Sequence, residues 1–96
     1  MFGLIGRFVA QPGRRDDLVA AMTSEVGDLP GCRSFVVAQD PADPDALWIT
    51  EVWDDRDAWA ASLRLPAVRA SIEVAMPLIR EMGTTTETVP VSVRGL

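Results

Sequence analysis

Phe2 to Ala10 (FGLIGRFVA) is apolar at odd and even positions alike, Arg7 excepted, and the dipeptide Pro12-Gly13 follows it. A short run without alternation predicts a strand covered on both faces and ended by a turn. From Arg14 the spacing changes, and Val19, Met22, Val26 and Leu29 recur at intervals of three and four behind Asp16 and Asp17. Those intervals put the apolar side chains on one stripe of a helix whose positive N-terminal end attracts the two carboxylates. The segment GDLPG, Gly27 to Gly31, predicts its end. Ser34 to Gln39 then reads as a strand, Asp40 to Asp45 (DPADPD) as a turn, and Ala46 to Trp53 (ALWITEVW) as a strand rich in aromatic and β-branched residues. The two strands form an antiparallel hairpin across the acidic turn.

Asp54 or Asp55 suits the cap of a following helix with Trp59 and Leu63 on one face. Pro66 starts a further helical segment carrying Val68, Ile72, Ala75, Met76 and Ile79, and Pro77, which lacks a backbone donor, predicts a kink or an early end. Gly83 closes that region, and Thr84 to Val93 is the expected last strand, with Pro90 placing it at a sheet edge or bulge. The order βαββαβ is ferredoxin-like: an α+β fold with helices on one face of a four-stranded antiparallel sheet, and residues 1–96 forming a single domain. Its other face is also apolar, because Ile5 and Val9 alternate with Leu4 and Phe8, and Ile49 and Trp53 with Trp48 and Val52. Burying ~600 Å² of such a face is worth on the order of 15 kcal/mol before association costs, which predicts a homodimer joined through the sheet.

Composition narrows the chemistry. The 96 residues carry a net charge of -5, which disfavours nucleic acid and anionic membrane as partners. There is no His, Tyr or Lys, so all nine cationic side chains are Arg. That removes imidazole-dependent nucleophiles, lysine Schiff bases, the usual zinc sites, and haem held by His or Tyr. The expectation is therefore no metal and no cofactor. Cys32, the single cysteine, reads as a small buried hydrophobe, and nothing after Met1 resembles an export signal, so the expected location is the cytoplasm. Asp40, Asp43 and Asp45 lack the glycine and distal glutamate of a calcium loop and read as turn chemistry.

Ile49, Glu51 and Trp53 share one parity of their strand, so they project from one sheet face, toward the helices and Trp59. That places a carboxylate beside aromatic walls, with Arg7 on the neighbouring first strand. Desolvation would raise the carboxyl pKa and a guanidinium would lower it. Two readings stay open: Glu51 and Arg7 as a catalytic base and a stabilising cation, or as a cross-strand ion pair. Trp53 and Trp59 likewise serve either as ligand walls or as core anchors.

Gly6-Arg7-Phe8, Pro12-Gly13, Pro30-Gly31-Cys32 and Glu51-Val52-Trp53 followed by acidic residues and Ala58 make the chain resemble the antibiotic biosynthesis monooxygenase (ABM) family over nearly its whole length. The resemblance implies a dimeric α+β barrel and a cofactor-independent oxidation of a quinol, anthrone or other polycyclic phenol by dioxygen. Trp53 and Trp59 stand where the quinone-forming branch has aromatic residues, whereas Ile49 replaces an asparagine of that branch, and Ser62 and Ala67 stand where many members carry histidines. The expected site has Glu51 and Arg7 as catalytic groups and Trp53, Trp59, Ile49, Met22 and Ile72 around a small aromatic substrate. The alternative is a non-catalytic dimeric barrel that binds a hydrophobic small molecule.

Overall fold

A computed structural model describes residues 1–24 and 29–94. The elements run β1 (Phe2–Ala10), α1 (Arg15–Thr23), β2 (Cys32–Gln39), β3 (Ala46–Trp53), α2 (Arg56–Ser62), α3 (Pro66–Ala75) and β4 (Ile79–Thr88). This is the α+β, βαββαβ arrangement that the sequence predicts, with one antiparallel sheet in the order β2-β3-β1-β4. The two strands that are apolar on both parities, β1 and β3, are the central pair. The edge strand β4 (IREMGTTTET) is largely polar instead.

Local chemistry explains most boundaries. Asp55 caps α2, its Oδ1 accepting from the Ala58 N–H at 2.7 Å, whereas Asp54 pairs with Arg33. Pro66 occupies the first turn of α3, where its missing donor costs nothing. Pro77 stops that helix through a 3₁₀ turn, Met76–Leu78, as its missing N–H requires. Helix α1 ends at Thr23, earlier than the glycines suggest, and the Thr23 and Ser24 hydroxyls donate back to the carbonyls of Val19 and Ala21. Val26 and the Gly27-Asp28 part of the predicted stop lie outside the described residues. The deepest side chains of α1 are Leu18 and Ala21, so the buried stripe sits one position N-terminal to the predicted one, with Val19 and Met22 at its margin.

The last strand differs from expectation. It begins at Ile79, not Thr84, and ends at Thr88, so Pro90 lies beyond it. Ile79 continues the helical spacing of α3 yet is the first residue of a strand, and it still packs on the same core as Leu47, Ile49 and Ala75. Gly83 does not close a helix. It lies within β4 beside a register shift, where a Cβ would come 2.7 Å from the Arg7 carbonyl oxygen.

The acidic turn between β2 and β3 is held by cations. Arg7 Nε donates to Asp40 at 3.3 Å and Arg7 Nη2 to Asp43 at 3.2 Å, while Arg15 Nη1 donates to the Asp43 carbonyl at 2.9 Å. Asp40 also accepts from the Ala42 N–H at 2.8 Å and the Trp48 indole N–H at 3.1 Å. The Ala42 N–H, the Trp48 indole and Arg7 together hold the Asp40 carboxyl below its ordinary pKa. A carboxyl depressed in the folded state stabilises fully above its unfolded value, about 3.9, and loses that contribution as pH falls through the lower folded value. Thermal melts below about pH 4 should therefore fall more steeply for the wild type than for Asp40→Asn; parallel acid slopes would contradict this role.

Candidate functional site

Alternation along β3 sends Leu47, Ile49, Glu51 and Trp53 to the helix side of the sheet. The β1–β3 register sets Leu4 opposite Glu51, Gly6 opposite Ile49 and Phe8 opposite Leu47, so the even residues of β1 share that side. Between this surface and α1, α2 and α3 lies a cavity of about 360 Å³. Leu4, Phe8, Met22, Ile49, Trp53, Trp59, Val68, Ile72 and Met82 supply its apolar walls, and Glu51 is the one ionisable side chain among the described lining residues. A volume of this size falls within the range of small-molecule sites.

Glu51 is held, not loose. Its Oε1 accepts from the Trp53 indole N–H at 3.0 Å, a bond between residues two apart on the same strand face. Trp53 is only 2% exposed, and a buried indole N–H needs an acceptor. Trp59 is carried on α2, which is fixed by several contacts: its ring lies 5.4 Å from the Phe2 ring, the Arg56 guanidinium sits 4.9 Å above Phe2, and Arg56 pairs with Glu87 on β4. Ser62 Oγ donates to the Trp59 carbonyl at 2.6 Å. Cys32 sits across from Trp53 on β2. Burial pushes its thiol pKa up, a hydrogen bond with the Ser34 backbone pulls the other way, and the Glu51 charge raises it further, so the thiol is a poor nucleophile at neutral pH.

Of the residues expected at a site, Glu51, Trp53, Trp59, Ile49, Met22 and Ile72 line this one cavity. Arg7 does not. The register pairs it with Trp48, three positions from Glu51, and alternation turns it to the opposite face, where Asp40 and Asp43 bind it. Both readings that placed Arg7 beside Glu51, as a catalytic cation and as its ion-pair partner, are thereby corrected. Sequence reading did not assign Leu4 and Phe8 to the wall, although their shared parity was visible; they follow from the register alone. Met82 was obscured by the misplaced start of β4.

Residues 1–74 match the family model described as antibiotic biosynthesis monooxygenase. A crystal structure of a protein from Chloroflexus aurantiacus, named as a candidate antibiotic biosynthesis monooxygenase, is 51% identical to this chain, covers 98% of it and 96% of its own length, and superposes with a TM-score of 0.93. Similarly named proteins from Nitrosomonas europaea (15% identity, covering 96% of this chain and 100% of that one, TM-score 0.84) and Deinococcus radiodurans (22% identity, covering 100% and 98%, TM-score 0.76) share the fold. No curated protein matches the chain.

Proposed function

Because the chain belongs to the antibiotic biosynthesis monooxygenase family, we propose that it oxidises a quinol, anthrone or other polycyclic phenol with dioxygen, without a cofactor. The observation that carries this reading is a carboxylate fixed by an indole N–H inside an otherwise apolar cavity. A flat ring system lies against Trp53 and Trp59, and Glu51 takes up a proton from the substrate's acidic O–H or C–H. The resulting electron-rich anion gives an electron to dioxygen, and a C–O bond forms. Oxidation of a methylene carbon to a carbonyl releases four electrons, which reduce dioxygen to the new carbonyl oxygen and one water. Substrate and dioxygen thus supply every atom and electron, and the apolar walls keep bulk water from the intermediate. Arg7, on the other face, takes no part.

The active unit in this reading is a cytoplasmic homodimer. Ile5, Val36 and Trp48 on the face away from the helices are 37%, 38% and 41% exposed, and a second copy packing there covers them. Members of the family are typically dimeric, and among the described residues no helix is long and apolar enough to cross a membrane.

Oxygen-electrode assays with a panel of reduced quinones and anthrones should show uptake that scales with protein concentration. Rates equal to buffer across the whole panel would remove the oxygenase reading. Buried Ile49, standing where the quinone-forming branch has an asparagine, favours a second reading, ligand binding without turnover. Tryptophan fluorescence changes on ligand addition with no oxygen uptake would select it.

A further inference from the structure

The sequence has four methionines, and Met22, Met76 and Met82 all line the cavity. Met76 is 49% exposed and Met82 58%, whereas Met22 packs partly buried against the core. A lining residue that keeps about half its surface in water stands where the cavity opens, so Met76 and Met82 belong to its rim. The fold brings them there by separate means. Met76 follows the last residue of α3, where Pro77 stops that helix. Met82 depends on the register shift beside Gly83, which sets Thr85 opposite Gly6 and Met82 opposite Phe8. Three positions on β4 thus match two on β1, and residues of opposite parity both reach the cavity. With strict alternation, one of the two would turn to the other face of the sheet.

We propose that Met76 and Met82 are a paired oxidation site, at which hydrogen peroxide lowers the affinity of the cavity for apolar ring ligands. The inference goes beyond the proposed function and rests only on its reading of this cavity as a ligand site. It does not require turnover. The thioether sulfur attacks one peroxide oxygen, an S–O bond forms and the O–O bond breaks. Sulfur gives up two electrons, and the departing hydroxide takes the proton left on the transferred oxygen and leaves as water. A thioether has no proton to lose before it reacts, so access from solvent sets the order of attack, and the two rim sulfurs precede Met22. Cys32 is a slower competitor, because it is partly buried and only its thiolate reacts. Before oxidation, flexible apolar side chains at the rim adapt to a flat ring system. Afterwards each carries a polar sulfoxide oxygen, which a seated apolar ligand would strip of water without offering a hydrogen bond in return.

The test treats the folded wild-type protein with hydrogen peroxide for increasing times, maps the added oxygen by peptide mass spectrometry, and titrates the desalted samples calorimetrically with 2-naphthol. Met76 and Met82 should gain oxygen before Met22 and Cys32. Affinity for 2-naphthol should fall at least about fivefold as they do, while the circular dichroism spectrum stays that of the untreated protein. Met1, 39% exposed and not among the described lining residues, is the internal control, since its oxidation should leave binding alone. In the Met76→Leu/Met82→Leu variant, whose side chains are apolar and of similar volume, the same treatment should change affinity by less than about twofold. Earlier oxidation of Met22 or Cys32, full affinity with both rim sulfurs oxidised, an equal loss in the double variant, unfolding on oxidation, or no binding by the untreated protein overturns the proposal. The wild-type time course decides even where the variant folds poorly. A protein whose binding responds to peroxide but which consumes no oxygen loses only the oxygenase reading. One that turns over substrate and binds 2-naphthol unchanged with both sulfurs oxidised loses only this inference.

Discussion

Glu51→Gln is expected to lower protein-dependent oxygen uptake by about a hundredfold or more, the lower end of what a positioned general base contributes. Glutamine keeps a carbonyl oxygen that accepts the Trp53 indole N–H, so the 3.0 Å bond and the packing around it survive. What is lost is the ability to take up a proton. The melting temperature should accordingly move by only a few degrees, corresponding to roughly 0.5 kcal/mol. Glu51→Ala makes an informative contrast, because it leaves a buried indole donor without its acceptor and should cost an additional 1–3 kcal/mol or about that. Wild-type uptake by Glu51→Gln would refute the base assignment while leaving family and fold untouched. Trp53→Phe keeps most of the ring and removes only the N–H. It should reduce the turnover rate more than it weakens binding, since it removes the N–H that orients the carboxylate.

The second large effect is expected from Gly31→Ala, on stability. Gly31 adopts φ +83°, where a side chain is disfavoured, and a Cβ there would come 2.6 Å from the Ala58 Cβ on α2. Its carbonyl also accepts the Asp54 N–H at 2.8 Å, tying the start of β2 to the segment that leads into α2. Backbone strain of about 1–2 kcal/mol and overpacking of about 1–2 kcal/mol add to roughly 2–4 kcal/mol, or about 10–25 °C in melting temperature for a chain this size. Urea denaturation of Gly31→Ala, Ala58→Gly and the double variant separates the two parts. The double variant should recover the overpacking share and keep the strain share. Strict additivity would mean that the close approach to α2 contributes nothing. Because α2 carries Trp59, a displaced helix should also weaken ligand binding, which connects the Pro30-Gly31-Cys32 signature to the cavity.

The chain's local chemistry determined a good deal by itself. The apolar runs marked β1 and β3 with the bounds found, Pro66 and Pro77 set the start and stop of α3, and an aspartate capped α2. The period of two along β3 was enough to group Ile49, Glu51 and Trp53 on the helix side, because alternation within one strand needs no knowledge of its neighbours. The short signatures around Gly6, Gly31 and Trp53 sufficed for the family resemblance.

Tertiary structure alone decided the rest. Arg7 left the site because the phase of β1 against β3 is a property of their pairing: Leu4, not Arg7, falls opposite Glu51, and the acidic turn then captures the guanidinium. Ile79 satisfies the spacing of a helix and the start of a strand equally well, and only the 3₁₀ turn at Pro77 together with pairing on β1 selects the strand. The need for glycine at position 83 arises from the Arg7 carbonyl, a group distant in sequence that the fold brings against it. Periodicity acts within one element and is written in neighbouring residues; register, close approach and the enclosure of a cavity arise between elements, and long-range packing sets them.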